Sequence, residues 1–200
     1  MASTSAPFGF RPSYHNSGTV RPKAYTIATG YAANIFSGDP VKLASTGVIQ
    51  LATSDGTRTG TVDGIAMLGI FAGCEYKDST GKPTVSNFWP TGIAATAITA
   101  YVYDDPETIF EVEYANPGTP GTTSVQVDLG AECDWVPTAA GGSTSTGLSS
   151  TKLTALQSTS GQFQIVGFAK NVDQDLTDAY VIVDVRINEH HCKASVNTIA

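Results

Sequence analysis

A chain of 200 residues and 20.8 kDa is long enough to bury a substantial core. Charged residues make up only 14% and apolar residues 41%, against roughly a quarter charged in ordinary soluble proteins. This excludes a coiled coil or helical bundle and disfavours a disordered chain. The net charge of −7 leaves few cations to displace counterions from phosphates, so nucleic acid is not an expected partner.

The first 23 residues carry Pro7, Pro12 and Pro22 between Phe8, Phe10 and Tyr14. Proline fixes φ and removes a donor, so this stretch reads as an extended arm and not as a central strand or helix. Its aromatics need a surface, on the protein's own body or on a neighbour. From residue 24 the chain turns to short strand-like runs cut by turn residues, over 25–28, 41–43 and 48–51, with a loop at 53–56. The longer run 65–71 suits a strand covered on both faces, and Cys74-Glu75-Tyr76, the turn 78–83 and Phe88-Trp89-Pro90 follow it. A second half starts near residue 100. Residues 101–103 lead into the turn 104–106, and 108–114 and 124–128 alternate apolar with polar residues. Residues 138–151, nearly all Thr, Ala, Gly and Ser, read as a flexible loop, and only 152–157 could pass for a helical turn. Two late runs, 162–168 and 180–187, read as core strands. In the second, Val181, Val183, Val185 and Ile187 share one face and are expected to pack with Phe110, Phe163 and Ile165, with Asp184 and Arg186 opposite.

Turn signals every 8–12 residues point to an all-β fold of two small barrel- or sandwich-like halves behind the arm. The expected division is an arm over 1–23, β domains over 24–99 and 100–190, and a tail over 191–200. No apolar run approaches the ~20 residues of a membrane helix. The opening residues lack the charged and apolar regions of a signal peptide, which predicts cytosolic synthesis. Cys74, Cys133 and Cys192 are odd in number and widely spaced, so free thiols are expected, not a disulfide framework.

Charge is segregated along the chain. Arg11, Arg21 and Lys23 precede the first acid, Asp39, whereas eight carboxylates lie between Asp104 and Asp134 and no cation lies between Lys82 and Lys152. A basic arm on an acidic body suits a partner of mixed charge. No phosphate loop, dinucleotide fingerprint or nucleophile elbow is present. His15 lies in the arm and His190-His191 near the end, neither placed for a catalytic triad. Glu189-His190-His191-Cys192 contains metal-ligand types, but adjacent strand residues face opposite ways, so no metal site is expected. Asp104-Asp105-Pro106-Glu107 lacks the donor spacing of a calcium loop and reads as a turn. Trp89 and Trp135 could stack sugars, although core packing is the commoner use. Neither a cofactor nor an enzymatic activity is expected.

The opening Ala6-Pro7-Phe8-Gly9-Phe10-Arg11-Pro12 with His15-Asn16-Ser17-Gly18, then Gly38-Asp39-Pro40-Val41-Lys42-Leu43, residues 69–81, Phe88-Trp89-Pro90, Tyr101-Val102-Tyr103-Asp104-Asp105-Pro106, Ile165-Val166-Gly167-Phe168 and 183–190 form an ordered series. This series resembles tailed-bacteriophage capsid cement (decoration) proteins over most of the chain. The resemblance implies a virion protein made in the bacterial host cytoplasm that binds the capsid exterior and clamps major capsid protein subunits. A homo-oligomer is expected, a trimer slightly favoured over a dimer, with no membrane partner. Phe8, Phe10, Arg11, Tyr14, His15 and Arg21 of the arm are the candidate partner-binding residues. A tail, neck or head-fibre component is the alternative within virion structure, and a carbohydrate-binding β module is the alternative from another class.

Overall fold

Short apolar–polar alternations broken by Gly and Pro make strands, and no α-helix occurs among the described residues. The computed structural model describes residues 3–52, 67–136, 141–157, 161–170 and 174–192. In chain order the strands are β1 (Arg11–Tyr14), β2 (Lys23–Tyr25), β3 (Ile35–Phe36), β4 (Pro40–Leu43), β5 (Ile49–Leu51), β6 (Gly69–Lys77) and β7 (Pro83–Ser86). They continue as β8 (Phe88–Trp89), β9 (Thr96–Tyr103), β10 (Ile109–Ala115), β11 (Glu132–Val136), β12 (Lys152–Gln157), β13 (Phe163–Phe168) and β14 (Tyr180–Ile187).

The second half is a closed five-stranded barrel in the circuit β10-β14-β13-β11-β12 and back to β10. All contacts are antiparallel except the closing one, where Tyr114 of β10 pairs with Leu153 of β12 in parallel. The first half follows the same circuit, β2-β9-β6-β4-β5, and closes through a parallel bridge from Ile27 to Ile49. Numbered along the chain within each half, both circuits read 1-5-4-2-3, with strands 1 and 3 parallel.

The registers coincide as well. Ala24 opposite Tyr101 and Tyr101 opposite Gly73 match Glu111 opposite Asp184 and Asp184 opposite Gly167. In each fourth strand one residue, Ala72 or Val166, is bulged out immediately before that glycine. Leu43 opposite Ile49 likewise matches Trp135 opposite Leu153, with an irregularity between Cys133 and Trp135 in the second barrel. One barrel design is therefore used twice with almost unrelated side chains.

Each barrel has its own core. Ile27, Val41, Leu68, Phe71, Trp89 and Val102 fill the first, and Phe110, Trp135, Phe163, Val183 and Val185 fill the second. Met67 and Ile70 come from the first half but pack into the second core, so the barrels are fused along this seam. At the end of the chain Met67 N–H donates to Glu189 O (3.0 Å) and His191 N–H to Met67 O (2.8 Å), which adds a backbone link across the seam.

The late strand has the register its alternation predicts: Val181, Val183, Val185 and Ile187 are buried with Phe110, Phe163 and Ile165. Three expectations are corrected. Residues 152–157 form strand β12 and not a helical turn, because pairing on both edges decides where local propensity is weak. Residues 125–128 form a 3-10 turn capped by Ser124 and not a strand. Part of the Thr/Gly/Ser loop is fixed: Ser37 bridges Leu148, and Ser149 and Thr151 are buried. Residues 138–140, the loop 53–56, the start of the 65–71 run and the tail from 193 lie outside the described residues.

Candidate partner-binding surface

The arm is laid along the second barrel as a strap. Its strand β1 pairs antiparallel with β10, on the edge that β12 uses further along, with Arg11 opposite Glu111. Pro12 fits because β1 is an edge strand, where a missing N–H leaves no gap in a ladder. Phe10 is only 2% exposed and stacks on Phe163 with ring centroids 4.2 Å apart. This corrects its assignment to a partner: Phe10 is a plug in the chain's own core, and the arm is not dispensable to that core. Phe8 is half-buried beneath the Arg11 guanidinium, 4.9 Å from its ring centre.

The charge complementarity legible in the sequence is satisfied largely within the molecule. Ser5 Oγ and Ala6 N–H donate to the two oxygens of Glu113 (2.7 and 2.6 Å), and Lys152 Nζ lies 3.9 Å from that carboxylate. Arg11 pairs with Glu111 at 2.6 Å, where Ser13 Oγ also donates. Further on, His15 Nε2 lies 3.2 Å from Asp105, and Lys23 Nζ lies 3.3 Å from Asp104. Four carboxylates thus tie down the chain between Ser5 and Lys23. Tyr25 also donates to Asp104 (2.6 Å), and burial with this negative neighbour drives its hydroxyl pKa well up.

Asp39 is the hub where strap, first barrel and Ser/Thr loop meet. Its carboxylate is buried and accepts from Phe36 N–H (2.8 Å), Ser149 Oγ (2.5 Å) and Thr151 Oγ1 (3.2 Å). Burial outweighs these donors and raises its pKa to about 6. Gly38 beside it donates to Phe71 O and accepts from Phe10 N–H. A Cβ on Gly9 would lie 2.6 Å from that of Ser149, so the strap crosses this hub only as glycine.

Between the strap and β2 the chain stands off the body. Residues 15–22 arch over a groove of 660 Å³ walled by His15, Arg21, Lys23, Asp104, Asp105 and Thr108. Asp104 and Asp105 each have a cationic or hydroxyl partner, whereas Arg21 has no carboxylate partner among the described residues. Of the arm residues singled out in the sequence, Arg11, Tyr14 and Arg21 are exposed, and His15 is half-buried against Asp105.

The other candidates resolve plainly. Trp89 and Trp135 are both buried in the cores and offer no platform to a sugar. His190 is buried, its Nδ1 accepting from Cys192 N–H, while His191 is exposed. No group of three or more metal-ligating side chains gathers among the described residues. Asp105 caps its own turn, accepting from Glu107 N–H, as the turn reading requires. Cys74 and Cys133 are buried, and desolvation pushes each thiol up to about 12, which leaves them unreactive at neutral pH. Sequence reasoning missed the Asp39 hub, although Ser37-Gly38-Asp39-Pro40 carried the signal of a tight turn with an acid inside it.

No family model, curated protein or solved structure matches this chain.

Proposed function

We propose that the protein is a non-enzymatic virion component that binds the outer surface of a phage capsid and cements neighbouring major capsid subunits, acting as a homo-oligomer. The observation that supports this best is the reach and position of the resembling segments, which run from Ala6 to His190. They reach the joints of the scaffold: the Phe10 plug, the Asp39 hub, the bulge at Val166-Gly167, the Asp104 and Asp105 ion pairs and Glu189 of the seam. A body of two fused barrels bound by its own N-terminal strap suits a clamp, which works through rigid area and many contacts instead of a reactive group. The sugar-binding alternative loses its tryptophan platform, because both tryptophans are internal.

The test compares heat- or osmotic-shock-induced DNA release from particles with and without the protein, followed by its return. Fragile stripped particles that recover on add-back are expected. Identical release in both preparations overturns the cement role. Copy number separates shell from neck or tail: hundreds per particle support cementing, and a dozen or fewer assign the protein to the tail or neck.

A further inference from the structure

The two barrels share circuit and register, so each position in one has a counterpart in the other. In the second barrel, the edge of β10 at Ile109, Phe110 and Glu111 lies three to five residues before the closing contact at Tyr114 and is occupied by β1. In the first barrel, the corresponding residues before the closing contact at Ile27 are Pro22, Lys23 and Ala24. No strand pairs with that edge among the described residues. Thr26 O turns to this side to accept from Ile49 N–H. Ala24, two residues earlier, presents its N–H and C=O the same way. Both Lys23 and Ala24 are exposed.

An open edge is a template for another strand. The charges around the two slots are opposite. Glu111 lines the filled slot and its occupant brings Arg11, whereas Arg21 and Lys23 flank the open one. Lys23 is shared with Asp104, and Asp105 is engaged by His15, which leaves Arg21 as the uncompensated charge at the groove. An occupant complementary to this slot is extended, supplies backbone groups opposite Ala24, and carries a carboxylate where its side chain meets Arg21.

We propose that the outer edge of β2 is a strand-docking site for an extended, carboxylate-bearing segment of the partner protein, in the place that the chain's own strap fills in the second barrel. On the cement reading, with which the partner's identity stands or falls, that segment belongs to a capsid subunit.

The edge itself is tested on the isolated protein with blocked eight-residue peptides alternating Thr with Glu or Thr with Lys, followed by amide exchange and chemical-shift mapping. The Thr/Glu peptide slows exchange at Ala24 and shifts signals at 21–24, and binds at least about ten-fold more tightly than the Thr/Lys peptide. Equal binding of the two peptides, or an Ala24 amide already as protected as that of Val102 in the free protein, overturns the proposal. Ala24→Pro removes the donor facing the open edge, and Arg21→Glu reverses the charge without touching the core. Both are expected to abolish the preference for the Thr/Glu peptide, and an Arg21→Glu variant that keeps the preference overturns the proposal even if Ala24→Pro does not fold. Capsid particles separate the two readings. Wild type that binds particles together with an Arg21→Glu variant that binds equally well refutes the docking site and leaves cementing intact. Wild type that ignores particles while the peptides behave as stated refutes cementing alone.

Discussion

The two barrels have the same strand circuit and ladders but are finished differently. The second takes an aromatic plug and an extra strand from the N-terminus and holds them through Glu111 and Glu113. The first has no such plug among the described residues. It extends β6 outward to pair with β7, whose Val85 is 83% exposed. The first strand's antiparallel ladder also differs in length: β10 runs for seven residues against β14, whereas β2 has three residues against β9. Backbone pairing thus reproduces a fold across two unlike sequences, while the two barrels differ in what is added at their edges.

The strongest test of equivalence is a charge in the same place in both cores. Val183 and Ala100 occupy matching positions opposite Phe168 and Cys74, and both are fully buried. Val183→Asp and Ala100→Asp are each expected to cost more than about 4 kcal/mol, through an unpaired buried carboxylate. Denaturant unfolding measures this, and tolerance of either change alone breaks the proposed correspondence.

Next in size is the plug. Phe10→Ala leaves a cavity beside Phe163 and should cost about 3–5 kcal/mol. Removal of residues 1–22 should cost still more cooperativity in the second barrel, reported by Trp135, than in the first, reported by Trp89. Equal loss at both tryptophans would mean that the barrels unfold as one unit.

The hub gives a pH signature. Asp39 has its pKa raised to about 6 in the fold, above its ordinary value, so the native state holds the extra proton between about pH 4 and 6. Stability contributed at this site is therefore full below about pH 4 and lost as pH rises through 6, by about 3 kcal/mol. Asp39→Asn should flatten that part of the stability profile in urea titrations at pH 4, 5, 6 and 7. An unchanged slope assigns the dependence elsewhere.

Smaller still is the glycine after each bulge. Gly73 has φ of +145° and a Cβ there would meet Ser86 O at 3.0 Å, whereas a Cβ on Gly167 meets only the Asp184 carboxylate at 3.4 Å. Gly73→Ala should cost about 1–3 kcal/mol and Gly167→Ala under about 0.5 kcal/mol. Similar melting shifts for both would show that the extra strand β7 does not tighten the first bulge.

Smallest is Asp184→Asn. Burial, with Glu111 opposite, raises the carboxyl pKa of Asp184, so neutralising it should stabilise by a few tenths of a kcal/mol at neutral pH. A loss on that scale would mean the charge is favourably engaged.

What was legible in the sequence follows from which forces are local. Alternation over 108–114 and 180–187 fixes which side chains face inward, because strand period is a property of the backbone. The short strands β3, β7 and β11 carry no such signal, since two to five residues gain strand character only from neighbours supplied by distant parts of the chain. The repeat was invisible for the same reason: Ala24 and Glu111, or Tyr101 and Asp184, share a register without sharing chemistry. A basic arm on an acidic body suggests a partner of mixed charge, yet composition does not say whether each charge meets a partner or the chain itself. Arg11, Ser5 and Ser13 answer that with bonds to Glu111 and Glu113.

The Phe10–Phe163 stack also sets a timetable. The plug leaves the ribosome about 150 residues ahead of its socket. At ordinary elongation speeds the aromatic waits roughly 10–30 s before its own barrel exists. During that interval the first barrel can already close, because its last strand ends at Tyr103. Until Phe163 emerges, the first barrel has all of its strands while Phe10 still lacks the ring it stacks on.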